Sequence, residues 1–475
     1  MSNTSQASKR ISALLDENSF VEIGALVTAR ATDFDLKQTE APSDGVITGY
    51  GVINGNLVYV YSQDASVLNG TIGEMHAKKI ANLYDLAMKM GAPVIGLLDS
   101  AGLRLQESTD ALEGLGALYE MQACASGVIP QITAVFGNCG GGLAVATQLS
   151  DFTFVESSKG KLFVNAPDAI DGNSAAKCDT SAAAFQGEAG NADVVGDEDT
   201  ILSEIRELVS MLPANNEDEA FTDCDDDLNR VCEGLENCVS DPAILLSQIS
   251  DGGVFFETKR TFAKDMVTGF ILLNGATVGA VANRTALYDE EGKETEKFDA
   301  VLSADGCEKA AEFVSFCDAF EIPVVSFTNV KGYKACCINN EKRIAKAAAK
   351  LTYAFANASV PKVNVVVGKA FGSAYVTMNS KSVGADLVLA WPDAQIGTMD
   401  AKLAAKIMYE GKGADVIDAK AAEYEALQNN VTSAARRGYV DQIVAPADTR
   451  KYVIAAFEML YTKSLECLAK KHGTV

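Results

Sequence analysis

The chain has 475 residues, 48% of them hydrophobic, and a formal net charge of −24; at roughly 150 residues per domain this predicts two or three domains with a sizeable buried core. So acidic a balance argues against nucleic acid or an anionic membrane as a main partner, and no apolar run reaches the roughly 18 residues a membrane span requires. Eleven cysteines without a C-x-x-C pair, and only two histidines, His76 and His472, argue against a disulfide framework, a multi-histidine metal site and a Ser-His-Asp mechanism.

The opening MSNTSQASKR has no apolar h-region and is not read as a signal peptide, so a cytoplasmic location is expected. Residues 47–60, ITGYGVINGNLVYV, alternate apolar positions around Asn54-Gly55 and predict a β-hairpin. Residues 79–102 predict a helix, then Pro93, a buried strand and Gly102. Residues 130–146, PQITAVFGNCGGGLAVA, predict a buried strand followed by a helix opened by Gly140, Gly141 and Gly142. ILSEIRELVSML (201–212) is an amphipathic helix, and the acidic 214–241 stretch reads as a linker. Cys224, Cys232 and Cys238 fall in that stretch without close ligand pairs, so zinc is not expected there.

The same order then returns. Thr48, Gly49, Tyr50, Asn54, Gly55 and Val58 match Thr268, Gly269, Phe270, Asn274, Gly275 and Val278 at an offset of 220. Pro93 and Gly102 match Pro323 and Gly332 at 230, and Pro130 and Gly137 match Pro361 and Gly368 at 231. The chain therefore reads as two copies of one α/β unit, at about 1–240 and 241–475, each with a β-rich opening and strand–helix repeats that imply a largely parallel sheet.

Each copy ends a buried strand in small residues at a helix start: Gly140, Gly141 and Gly142 in the first, Gly372, Ser373 and Ala374 in the second. Such residues let a ligand reach backbone N–H groups that lack intrahelical partners, the makings of an oxyanion hole. Gly102 and Gly332, after the preceding strand of each copy, are candidates to complete the two holes. Paired holes suit a reaction with two carbonyl partners and need no histidine.

These residues, with YSQDASVLNGTIGEMHAKKI (61–80), GAPVIGLLDSAGLRLQE (91–107) and VPKVNVVVGKAFGSAYVTMNSKSVGADLVLAWPDAQIGTM (360–399), resemble the acyl-CoA carboxyltransferases. The resemblance implies tandem crotonase-like (ClpP/crotonase) domains, the first binding acyl-CoA and the second biotin, with active sites formed between subunits of a hexamer, a trimer of dimers. It implies that Gly141 and Gly142 hold the thioester carbonyl and that Ser373 and Ala374 hold the biotin ureido oxygen. Biotin would arrive on a separate carrier protein, and a membrane decarboxylase subunit is a further partner, placing the chain in the cytoplasm or at the edge of a membrane complex. The chain departs from the family's usual motifs at Ser100-Ala101-Gly102-Leu103-Arg104, at Asn329-Val330-Lys331-Gly332-Tyr333 and at Gly269-Phe270-Ile271-Leu272. Val376 stands where propionyl-CoA carboxylase β chains often carry Asp, which favours the decarboxylase or transcarboxylase branch and a small dicarboxylic thioester such as methylmalonyl-CoA. A carboxylase β chain for acetyl- or propionyl-CoA, a crotonase-type hydratase or isomerase, and a non-catalytic scaffold are the alternatives.

Ala87-Met88-Lys89-Met90 spells the biotin-attachment tetrapeptide, but Ile80, Leu83, Tyr84, Ala87 and Met90 repeat at helical spacing, so Lys89 is read as a helix residue and not as a biotin carrier. His76 is expected to orient its segment, Lys78, Lys79 and Arg104 to be solvated or to meet CoA phosphates, and Trp391 to lie in the core.

Overall fold

The computed structural model describes residues 5–30, 41–171, 178–289, 291–465 and 473; His472 lies outside them. Two compact units result, Met1–Ala220 with Lys259–Phe262, and Phe221–Thr258 with Ala263–Val475.

The first unit holds strands β1 (Val21–Ile23), β2 (Val46–Ile53), β3 (Asn56–Gln63), β4 (Val94–Ser100), β5 (Gln131–Gly140), β6 (Phe152–Glu156), β7 (Lys161–Phe163) and β8 (Val194–Gly196), and helices α1 (Gln6–Leu14), α2 (Glu74–Met90), α3 (Thr109–Ala125), α4 (Gly142–Gln148), α5 (Ala183–Glu188) and α6 (Glu198–Met211). Its sheet runs β1-β2-β3-β4-β5-β6-β8, with β7 joined to the end of β5. The first three strands pair antiparallel, and from β3 onward every pair is parallel. The β2–β3 hairpin turns on Asn54 and Gly55, both at positive φ (49° and 85°), as a two-residue type I′ loop requires. Helix α2 buries His76, Ala77, Ile80, Leu83, Tyr84 and Ala87 along one face and stops at Gly91, whose φ of 61° is left-handed.

The second unit repeats this plan. It has β9 (Phe255–Thr258), β10 (Met266–Leu273), β11 (Ala276–Asn283), β12 (Ala286–Tyr288), β13 (Glu294–Lys297), β14 (Val324–Val330), β15 (Lys362–Phe371), β16 (Leu387–Ala390), β17 (Gln395–Gly397) and β18 (Gln442–Ile443). Its helices are α7 (Pro242–Ile249), α8 (Ala304–Ala319), α9 (Ile338–Asn357), α10 (Gly372–Thr377), α11 (Ala401–Met408), α12 (Ala414–Tyr424), α13 (Val431–Arg436) and α14 (Thr449–Leu460). The sheet order is β9-β10-β11-β14-β15-β16-β18, with β17 joined to β15. The register of the hairpins repeats as well: Gly49 faces Val60 and Gly269 faces Ala280. Both positions are glycine because a Cβ would lie 2.3 Å from the Val21 carbonyl oxygen or 2.2 Å from that of Phe256.

The duplication extends to buried charge. Lys79 reaches across to the carbonyls of Val46 (2.5 Å) and Ser43 (3.0 Å), and Lys309 to that of Met266 at 2.8 Å. Val46 and Met266 each open the first strand of the hairpin. Lys79 is thus buried, not solvated, and desolvation pulls its pKa down to about 8. Arg104 is likewise buried, held by Asp44 at 2.5 Å, Glu107 at 2.8 Å and the Thr71 carbonyl at 2.7 Å. Neither residue is free to meet a phosphate; of the three cations read as solvated, only Lys78 is exposed.

The acidic stretch is not a free linker. The Thr222 N–H bonds the Gly275 carbonyl at 2.8 Å, Phe221 bridges Ala276, and Cys232 and Leu235 enter the core of the second unit. The second unit therefore begins at Phe221, ahead of the expected boundary at 240/241. Among the described residues no helix is long and apolar enough to cross a membrane.

Candidate active site

In each copy, two neighbouring parallel strands deliver the candidate glycines to one end of the sheet. Strands β4 and β5 pair in register to Leu98–Val135, slip, and resume at Ser100–Cys139; β14 and β15 slip between Thr328 and Val330 in the same way. The residue left in the slip is Asp99 in the first copy and Asn329 in the second. Its side chain folds over the next strand, where a Cβ on Gly137 would lie 2.1 Å from Asp99 Oδ1 and one on Gly368 2.5 Å from Asn329 Oδ1.

The chain beyond each slip is fixed by matching bonds. Ala101 N–H donates to the Asn69 carbonyl (3.0 Å), Ile72 N–H to Gly102 (2.9 Å) and Arg104 N–H to Ile72 (2.9 Å); Lys331 bonds Ala300 (2.8 Å), Leu302 bonds Gly332 (3.0 Å) and Lys334 bonds Leu302 (2.9 Å). Gly102 and Gly332 both have positive φ, 99° and 159°. A Cβ on either would meet nothing within 4 Å, so both border open space. The Gly102 N–H rests on Ser100 Oγ at 3.1 Å, whereas that of Gly332 meets no acceptor among the described residues.

At the end of β5 the chain turns through Gly141 (φ 62°) into α4, and at the end of β15 through Gly372 (φ 62°) into α10. The two turns differ in one bond. Gly141 donates its N–H to the Phe163 carbonyl on β7 at 2.9 Å, so this amide is engaged within the fold, contrary to the expectation that it faces a ligand. The Gly142 N–H, and in the second copy those of Gly372 and Ser373, meet no acceptor among the described residues. Gly140 packs under the Phe163 ring, and Tyr119 hydroxyl donates to the Gly142 carbonyl at 2.5 Å, clamping the turn from both sides. Ala374 is buried, and Val376 is 38% exposed, as Val145 is 41% exposed at the matching place on α4. The helices have only 7 and 6 residues, so the open amides themselves, more than any macrodipole, make the turns attractive to a developing oxyanion.

A matching cleft flanks each slip. In the first unit it measures about 350 Å³ and is lined by Arg10, Asp99, Phe136, Gly137, Asn138 and Glu198 among others. In the second it is about 470 Å³, with Asn329, Lys331, Gly368, Lys369, Asp393 and Gln395. A further cavity, about 800 Å³, lies elsewhere, among Asp223–Asp226, Arg230 and Asp251, away from the two turns.

A carboxyl transferase domain model matches residues 3–475. The chain belongs to the carboxyl transferase family. It is 39% identical to the propionyl-CoA carboxylase beta chain of Roseobacter denitrificans over 99% of this chain and 93% of that one. It is 36% identical to the methylmalonyl-CoA decarboxylase subunit alpha of Propionigenium modestum, over 99% and 92%. Its fold superposes on the transcarboxylase 12S hexamer component, solved with methylmalonyl-coenzyme A and methylmalonic acid bound, with a TM-score of 0.90 at 35% identity over 98% of this chain and 92% of that one. The tandem α/β fold is therefore that of the carboxyl transferases, the crotonase-like arrangement.

Within this carboxyl transferase, the other singled-out residues fall into place by their contacts. Lys89 is in the last turn of α2, 65% exposed and paired with Asp85 at 2.5 Å, on a helix and not at a hairpin tip. Trp391 is buried, its indole N–H donating to Thr449 Oγ1 at 2.9 Å. His76 is fully buried, with Nδ1 2.9 Å from the Asp44 carbonyl and Nε2 3.2 Å from Gln63 Nε2. Burial pushes its pKa down to about 3, which removes it from acid–base work near neutrality. Sequence reasoning missed Tyr119, Phe163 and the residues in the slips. Only the Asp99/Asn329 correspondence, at the same offset of 230 as the flanking glycines, offered a signal. Among the described residues no group of histidine, cysteine or carboxylate side chains is arranged to hold a metal.

Proposed function

We propose that the chain is the carboxyltransferase component of a biotin-dependent enzyme, moving a carboxyl group between a small dicarboxylic acyl-CoA, methylmalonyl-CoA in the first instance, and biotin on a separate carrier protein. The observation that carries the reading is the same open-amide turn at the same strand end in both copies. The first copy would take the thioester: with Gly102 bordering open space, Gly142 N–H can donate to the carbonyl oxygen that becomes an enolate oxygen as the carboxyl group leaves. The second would take the biotin ureido oxygen on the N–H groups of Ser373 and Ala374, with Gly332 completing the hole. Biotin supplies a ureido nitrogen that accepts and releases the carboxyl group, and small residues with no Cβ contact at Gly332 fit so planar a group. The names of the relatives, which act on propionyl-CoA and methylmalonyl-CoA, support the substrate class, and the 12S hexamer supports assembly as a homo-oligomer.

The test is decarboxylation of methylmalonyl-, malonyl- and glutaconyl-CoA with free biotin as acceptor. A Cβ at position 142 would meet Leu115 Cδ2 at 2.6 Å and Tyr119 hydroxyl at 2.9 Å, so Gly142→Pro is compared with Gly142→Ala, and Ser373→Pro with Ser373→Ala. Loss of one donor predicts a further drop of about 10²–10³-fold in kcat for each proline over its alanine partner. Equal activity within both pairs would overturn the oxyanion-hole assignment.

A further inference from the structure

Cys336 and Cys337 stand at the start of α9, in an exposed stretch running from Ala335 to Asn339. Their Sγ atoms are 3.4 Å apart. This separation is far beyond a sulfur–sulfur bond of about 2.05 Å. It matches two thiolates on one bridging atom: with bonds of about 2.3 Å, as in metal thiolates, the sulfurs lie roughly 3.2–3.8 Å apart at angles of about 90–110°. A disulfide fits less well, since consecutive Cα atoms are about 3.8 Å apart and disulfides favour about 4.4–6.8 Å.

The surroundings prepare the pair. N–H groups of Asn340, the neighbouring thiol of Cys336 and the N–H of Asn339 lower the Cys337 pKa, while the bond to Cys337 raises that of Cys336. The Cys336 thiol points at Cys337 Sγ, and of the two sulfurs Cys337 is the one more readily converted to the attacking thiolate. The loop is anchored in advance: Asn340 donates to the Lys334 carbonyl at 2.6 Å and accepts the Ala304 N–H at 2.9 Å, and Lys334 N–H bonds Leu302. The other exposed cysteines among the described residues, Cys124 and Cys178, stand singly. A four-coordinate metal would find too few ligands here, whereas a centre satisfied by two sulfurs would not.

We propose that Cys336 and Cys337 form a vicinal-dithiol site for a thiophilic metalloid of the trivalent organoarsenical class. In the reaction two S–As bonds form, the As=O bond breaks, both thiol protons leave on that oxygen as water, and arsenic stays trivalent. The test is intact mass of the full chain after phenylarsine oxide and a monothiol wash, then a dithiol wash. One phenylarsenic group should survive the monothiol, leave with the dithiol, and fall at least about tenfold in Cys336→Ser and in Cys337→Ser, because chelation acts through effective concentration. Cys124→Ser and Cys178→Ser should retain it. The proposal fails if the wild-type chain loses the group to the monothiol or if either Cys336→Ser or Cys337→Ser keeps it. The readout is independent of carboxyl transfer, so this result and the functional assignment stand or fall separately.

Discussion

Gln63 links His76 to Asp99: its amide nitrogen lies 3.2 Å from His76 Nε2, and its carbonyl oxygen accepts the Asp99 N–H at 3.2 Å. With Nδ1 donating to the Asp44 carbonyl, the ring is held neutral with its proton on Nδ1. In the second copy Asn283 accepts the Asn329 N–H at 3.0 Å without any histidine behind it. The histidine therefore serves as a prop beneath the slipped residue, whose neighbours carry the candidate donor loop.

The first unit contains a buried group, His76, and a half-buried one, Asp151, with opposite responses to acid. His76 titrates at about 3 when folded and 6.5 by its ordinary value; the unfolded chain takes the proton first, so its share of stability falls as pH drops through that window. Asp151 is raised from 3.8 to about 7, chiefly by burial, with Asp193 adding to it against the Gln131 N–H. The folded chain takes that proton first, so its share of stability rises as pH drops from 7 toward 3.8. Each slope approaches about 1.4 kcal/mol per pH unit, and the two nearly cancel. In urea unfolding between pH 6.5 and 4.5, His76→Asn should gain stability on acidification and Asp151→Asn should lose it, both relative to wild type.

Glu321 closes α8 with φ 54°, where Gly91 closes α2 at φ 61°. The Ile322 N–H reaches back to Cys317 at 2.9 Å as Ala92 reaches Ala87 at 3.1 Å. A left-handed conformation costs a side chain about 1–2 kcal/mol. Glu321→Gly should stabilise the second unit by about 1 kcal/mol in denaturant midpoint, with activity unchanged.

Gly137→Ala places a methyl group against Asp99. Overpacking of this kind costs about 1–3 kcal/mol. The displaced Asp99 precedes Ser100-Ala101-Gly102, so carboxyl transfer should fall more than the loss of folded protein explains, measured as kcat on the soluble, folded fraction.

Lys79→Met would leave the carbonyls of Val46 and Ser43 without their buried donor. Unsatisfied buried acceptors cost about 1–3 kcal/mol each. Thermal unfolding should show a clear loss of stability, while Lys78→Met, at an exposed position, should show almost none.

The duplication, the hairpins and the strand–helix order were legible because they depend on local periodicity and on glycines at constant offsets. Asn54-Gly55 and Asn274-Gly275 show positive φ just where the alternating pattern placed a turn. What escaped depends on contacts far apart in sequence. Nothing near Lys79 or Arg104 indicates that their charges point inward at carbonyls and carboxylates 33 and 60 residues away. Likewise Gly141 looks like Gly142 until Phe163 comes alongside, and the acidic stretch looks like a linker until Thr222 bonds Gly275.

Because Phe163 holds the Gly141 amide, the aim of the next donor is set by β7, itself fixed where the Leu162 N–H meets the Ser181 carbonyl at 3.0 Å. Gly372 has no such tether among the described residues. The two repeated turns thus differ in adaptability: mutations around β7 can retune the first turn without touching it, while the second turn lacks that handle. The internal repeat pairs one braced turn with one permissive turn, so the same substitution in the two copies meets a different mechanical resistance.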